Sequence, residues 1–188
     1  MLRLSEKKGS LSLKGNSNLK LDLHTHCGEA TALYSPTLDI VKEIAAVVKA
    51  RGLDGLAITE HYNKAYGYKV QEMVAHHLNG EILIIPGREI DQGLLHVVEL
   101  YLPGDITFRF IAHPGYPHIR DLEAQIGDIH GIELRNPLHD HEMDEGRIRE
   151  LAEKYDLLLL TNSDAHFLDD IGKYYNEIDI EELCARAR

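Results

Sequence analysis

Three observations predict an α/β fold with a mostly parallel sheet covered on both faces. Strand-like and helix-like segments alternate along the 188 residues, several strand-like segments are continuous apolar runs, and no linker or low-complexity tract interrupts the series. At this length a single domain, 19–188, is expected behind a polar N-terminal segment or short hairpin at 1–18. Such a domain buries about 70% of its unfolded surface, so stability alone does not demand a metal.

The elements follow in order. Leu19 to Leu23 alternates like a strand, and Val41, Ile44, Ala45 and Val48 then recur at helical spacing between Pro36 and Arg51, with Gly52 just past the end. Gly55 to Thr59 reads as a buried strand and Lys64 to Asn79 as a helix bearing Val70, Met73, Val74 and His77. Glu81 to Ile85 is apolar and β-branched and is stopped by Pro86-Gly87; Leu95 to Leu102 and Ile106 to Ala112 are two further strands. Gly131 to Leu134, a helix from about Met143 to Tyr155, and Leu157 to Thr161 bring the total to about seven strands.

Composition narrows the function classes. A formal net charge of −11 opposes non-specific binding to a polyanion, which needs clustered Lys and Arg, so nucleic acid is a disfavoured partner. Bound divalent cations would supply local positive charge whatever the net balance. Cys27 and Cys184 are far apart in sequence and give no disulfide framework. With no signal-like opening and no apolar run of roughly 18 residues, a cytoplasmic location is expected.

Residues able to bind metal stand at the C-terminal ends of the strands. In order they are Asp22-Leu23-His24-Thr25-His26, Thr59-Glu60-His61, Pro86-Gly87-Arg88-Glu89, His96, Ala112-His113-Pro114, Gly131-Ile132-Glu133 and Ser163-Asp164-Ala165-His166. In parallel α/β folds these ends build the active site, so side chains scattered along the chain converge there. Residues two apart in extended backbone share a side, which lets His24 and His26 aim at one ion, and the same geometry is expected of Asp164 and His166. Imidazole with carboxylate suits zinc, manganese or iron. Spacing alone is weak evidence among twelve histidines: His139 and His141 repeat the His24 and His26 spacing, yet beside Pro137, Asp140, Glu142 and Asp144 they read as a loop with solvated side chains.

Taken as an ordered set from Leu21 to about Ile178, HTH after Asp-Leu, TEH, PGRE, a strand histidine, AHPG, GIEL and SDAH resemble the PHP superfamily of metal-dependent phosphoesterases. The resemblance implies a distorted (β/α)7 barrel of the TIM-like kind, with two or three divalent metal ions. Carried over residue by residue, it implies that His24, His26, Glu89 and Asp164 bind a first metal and that Glu89 bridges to a second held by His96 and His113. His61 and His166 would bind a third. Where many members place a further His or Asp after HxH, this chain has Glu29, Ala30, Thr31 and Ala32, so the third site uses Glu29 or water, or is empty. Glu60 stands where Asp is usual, and Cys27 where Ser or Thr is common.

The implied activity is hydrolysis of a small-molecule or nucleotide phosphate ester by a hydroxide activated at that centre, with His166 or His61 serving the leaving oxygen. Three alternatives stay open: a metal-binding module with a structural or regulatory role, a nuclease acting on nucleic-acid ends, and an amidohydrolase-type enzyme, which TEH and PGRE fit less well. Among the remaining residues, Glu133 is either a metal ligand or a group behind one. Arg135 reads as a surface ion pair before a phosphate grip. His76, His77 and His130 read as solvated or packed, His118 as either surface or substrate contact, and Tyr62, Tyr66 and Tyr68 as a pocket wall or ordinary packing.

Overall fold

A computed structural model describes residues 18–116 and 122–187. The segment expected at 1–18 therefore lies outside the described residues but for Asn18, and so does His118. In chain order the elements are β1 (Leu19–Asp22), α1 (Cys27–Ala30), α2 (Leu38–Ala50), β2 (Gly55–Ile58), α3 (Lys64–His77), β3 (Leu83–Gln92), β4 (Leu95–Leu102), β5 (Ile106–Ile111), β6 (Gly131–Arg135), α4 (Glu145–Tyr155), β7 (Leu158–Thr161), β8 (Asn176–Ile178) and α5 (Ile180–Arg186). The strands form one sheet in the order β7-β6-β5-β4-β3-β2-β1-β8, curled into a nearly closed barrel.

Capping and apolar spacing fix the helices where the sequence expects them. Thr37 caps α2, its side chain accepting from Ile40 N, and α2 buries Val41, Ile44, Ala45 and Val48. Asp144 caps α4 in the same way through Arg147 N. One apolar cluster joins α2 and α3 to the outer face of β2, another holds α4 through Ile148 and Leu151, and a third holds Leu21, Leu23, Phe108, Phe110 and Leu160 together with Leu183 of α5.

The sheet is less parallel than the alternation implies. β1 pairs with β2, β2 with β3, β5 with β6 and β6 with β7 in parallel, but β3, β4 and β5 are joined antiparallel. Pro86-Gly87 does not stop β3. It is where the strand gains a second partner: β4 pairs with it from Gly87 to Gln92, while pairing on the β2 side runs through Pro86 and continues at the His61–Glu89 bridge. Glycine admits the β4 backbone: a Cβ on Gly87 would lie 2.6 Å from Glu99 O. The continuation beyond Gly87 carries Glu89.

β8 and α5 have no counterpart among the expected elements. β8 pairs antiparallel with β1, so the sheet ends at β8 and β7 and a seam separates β7 from the β1–β8 edge. Side chains bridge that seam. Asn176 accepts from Thr161 N at 2.9 Å and donates to Thr161 O at 2.9 Å, while Asp22 accepts from Ser163 N at 3.1 Å and Gly172 N at 2.9 Å. Farther up, backbone pairing resumes in a parallel bridge between Thr25 and Ala165.

Candidate metal centre

The side chains expected as metal ligands come together at the end of the barrel where the parallel strands finish, but His96 reaches it from the N-terminal end of antiparallel β4 and Glu89 from within β3. His24 Nε2 and His26 Nε2 are 3.1 Å apart. Asp164 Oδ1 lies 3.4 Å from the first and 3.1 Å from the second, and Glu89 Oε2 3.4 and 3.3 Å from the same two atoms. Ligand atoms around a single cation stand about 3.0–3.5 Å apart, depending on coordination number, so these four have the spacing of a coordination shell. Asp164 Oδ1 is buried and makes no hydrogen bond, an expensive arrangement unless a ligand satisfies it. The residues present fit a divalent cation.

A second donor set shares Glu89. Its Oε1 is 3.1 Å from His96 Nδ1 and 3.2 Å from His113 Nε2, so its two oxygens face two different groups of imidazoles. A third group comprises His26, Glu29, His61 and His166, each with a donor atom within 4.8 Å of the others. Glu29 Oε1 is 3.8 Å from His61 Nε2 and Glu29 Oε2 is 3.6 Å from His166 Nε2. Of the options left open by sequence for this site, the fold brings Glu29 to it. The His26 ring stacks between those of His61 and His166 at 4.5 and 4.4 Å.

Backbone geometry departs from extended where it matters. Asp164 has φ 51° and His113 φ 28°, left-handed conformations that cost on the order of 1–3 kcal/mol each in a residue other than glycine. Asp164 N bonds to His24 O at 2.9 Å and His113 N to Glu133 Oε2 at 2.7 Å, which holds both residues in place. The shared-side geometry expected of Asp164 and His166 therefore does not apply. The turn at Asp164 sends its carboxylate to His24 and His26 and swings His166 towards Glu29, with His166 Nδ1 bonded to Asp164 O at 2.9 Å.

Glu133, fully buried, stands behind the centre. Its Oε1 is 3.0 Å from His24 Nδ1 and accepts from Asn162 Nδ2 at 2.8 Å; its Oε2 accepts from His113 N and from Asn136 Nδ2 at 3.1 Å. A proton held on His24 Nδ1 by this carboxylate leaves the lone pair of Nε2 facing Asp164 and Glu89. Burial disfavours protonated His24, but Asp164, Glu133 and Glu89 outweigh it and hold the imidazole well above its ordinary range. Burial likewise opposes protonation of His26, which Asp164 and Glu89 push up to about 9. Burial, the largest single influence, would raise Glu89 and Asp164, but the histidines around them, His24 foremost, together hold both low. Burial and the neighbouring His26 depress His61.

Other expectations resolve individually. His139 is not solvated: it is partly buried, its ring 4.5 Å from that of His113, because Asp140 folds the turn after β6 back onto Arg135 and Asn136 N. His141 is exposed as expected. Arg135 is occupied by Asp140 at 3.1 and 3.0 Å and by the Tyr174 hydroxyl at 2.8 Å. His76 and His77 are exposed, and His130 Nδ1 accepts from Arg109 N at 2.9 Å. The tyrosine group divides, with Tyr66 buried, Tyr68 stacked on Tyr101 and Tyr62 bonded to Asp91. Glu60 accepts from Gly28 N at 2.6 Å and so supports α1, while burial pushes up the Cys27 thiol.

Sequence reasoning missed His139, Asn136 and Asn162. Nothing in their spacing marks them, since their positions depend on turns. The family model described as PHP-associated matches residues 143–188, which include Asp164 and His166. No curated protein sequence matches the chain. PsfC from Pseudomonas syringae PB-5123 is structurally similar over 90% of this chain and 89% of its own, at 18% identity and a TM-score of 0.65. A candidate metal-dependent phosphoesterase from Bifidobacterium adolescentis ATCC 15703 is similar over 89% of this chain and 96% of its own, at 14% identity and a TM-score of 0.66. The chain thus resembles the PHP-associated family over its C-terminal quarter and shares its fold with these two structures.

Proposed function

We propose that the protein is a metal-dependent phosphoesterase acting on a small-molecule or nucleotide phosphomonoester. One observation carries the reading: Glu89 presents Oε2 to His24 and His26 and Oε1 to His96 and His113, the arrangement of a carboxylate shared by two cations. In this reading His24, His26, Glu89 and Asp164 hold one divalent ion, zinc, manganese or iron, Glu89, His96 and His113 a second, and His61, His166 and Glu29 a third. Ions bound there would lower the pKa of coordinated water and neutralise charge building on the phosphoryl oxygens.

The chain's own groups have separate tasks. Glu133 fixes the tautomer of His24, and Asp164 O fixes that of His166. His61 and His166 flank the half-exposed side of the pocket, from which either can serve the leaving oxygen. The Bifidobacterium protein's description as a candidate metal-dependent phosphoesterase supports the same reaction class.

Protein purified without chelator is expected to carry two or more transition-metal equivalents by elemental analysis and to hydrolyse p-nitrophenyl phosphate or a member of a nucleotide panel. Full activity in a His24→Ala, Asp164→Ala variant would end the proposal. The match to a PHP-associated family favours a second reading, a metal-binding module without catalysis. Bound metal with no turnover across the panel would select it.

A further inference from the structure

Three of the six histidines assigned to the centre share one wiring, whereas His61 and His96 turn Nδ1 to Glu89 and His26 Nδ1 is unpartnered. Nδ1 of His24, His113 and His166 each meets an oxygen, from Glu133, Tyr116 O and Asp164 O respectively. Each Nε2 then faces the pocket. His130, outside the centre, is wired the opposite way, its Nδ1 accepting a backbone N–H.

His139 is wired like His24, His113 and His166. Its Nδ1 is 2.7 Å from Glu142 Oε2, and its Nε2 points inward, 4.0 Å from Asp164 Oδ2. One donor atom from each of His113, His139 and Asp164 lies within 4.8 Å of the other two. The ring is clamped between His113 and Tyr116, stacking on the tyrosine at 4.6 Å. The two loops involved are in backbone contact at Gly115, where a Cβ would lie 2.3 Å from Glu142 O.

We propose that His139, oriented by Glu142, is a further ligand of the metal centre, binding through Nε2 the cation that His113 holds. The assignment rests on the metal-centre reading above and adds a ligand from the turn after β6. With it, the turn after β6 contributes a donor beside His113 and Asp164. A histidine bound through one nitrogen while its other N–H meets a carboxylate is the usual form of a metal-ligating imidazole.

Cobalt(II) tests this. Metal-free protein is titrated with Co²⁺, and calorimetric affinity is recorded beside the paramagnetically shifted, exchangeable imidazole N–H resonances in proton NMR. His139→Asn is expected to delete one shifted resonance and weaken one Co²⁺ equivalent by at least about 100-fold, and Glu142→Gln to move that resonance and weaken the same equivalent by about 10-fold. His141→Ala should match wild type. An unchanged spectrum and affinity in His139→Asn overturn the assignment but leave the centre standing; wild-type protein that takes up no Co²⁺ overturns both. Should His139→Asn fail to fold, Glu142→Gln decides, and its identity with wild type refutes the proposal.

Discussion

Replacing Glu133 by Gln tests the buried wiring most directly. All four contacts to the carboxylate come from N–H groups or a nitrogen able to donate: His24 Nδ1, Asn162 Nδ2, His113 N and Asn136 Nδ2. A glutamine must turn its NH2 towards one pair of them. Facing His113 N and Asn136, it leaves buried donors opposed, at about 1–3 kcal/mol for each unsatisfied group. Facing His24 and Asn162, it favours the other imidazole tautomer, with Nδ1 accepting and a proton on Nε2, where the first donor set needs a lone pair. Either way the expected loss is about 10–100-fold in affinity for one cation, or roughly 1.4–2.7 kcal/mol. Titration calorimetry with Zn²⁺ or Mn²⁺ on chelator-stripped protein measures it, with urea unfolding of the same stripped protein as companion. Wild-type affinity and an unshifted unfolding midpoint in Glu133→Gln would refute the argument that this carboxylate sets the tautomer of His24.

Protons should compete with cations. His26, pushed up to about 9, has a proton to lose on binding metal, so affinity should rise about tenfold per pH unit from neutrality to 9 for this one proton and then flatten; a pH-independent affinity would contradict this. For the metal-free fold the sign is opposite: the contribution from His26 is complete below 6.5 and lost as pH rises through about 9, which unfolding midpoints across that window will show. Asn176→Ala removes both side-chain bonds to the Thr161 backbone and should cost on the order of 2 kcal/mol, with faster hydrogen exchange at the Thr161 amide. Single-stranded oligonucleotides should not be cleaved; cleavage that weakens steeply with salt would instead support a nuclease.

What was legible in the sequence was whatever depends on local pattern. Strand ends carrying His or carboxylate were visible because the C-terminal ends of strands are where side chains can meet. Helix positions followed from Thr37 and Asp144 and from apolar spacing. Pro86-Gly87 misled because the same dipeptide that ends an ordinary strand also admits a second partner strand where a neighbouring backbone must come close. β8 was missed because three residues carry too little periodicity to stand out from a loop. His139 was misjudged for a related reason: an acidic neighbourhood usually means solvent, but here Asp140 and Glu142 are spent on folding the turn and orienting the ring.

The seam between the first and seventh strands has a mechanical consequence. His24 and His26 stand on one lip and Asp164 on the other, at the few backbone bonds that close the seam, so any ion gripping all three acts as a clasp beside them and above the stretch spanned by side chains alone. Stripping that ion should therefore loosen the molecule unevenly, with amides around residues 22–26 and 161–165 opening first while the antiparallel ribbon on the far side stays shut.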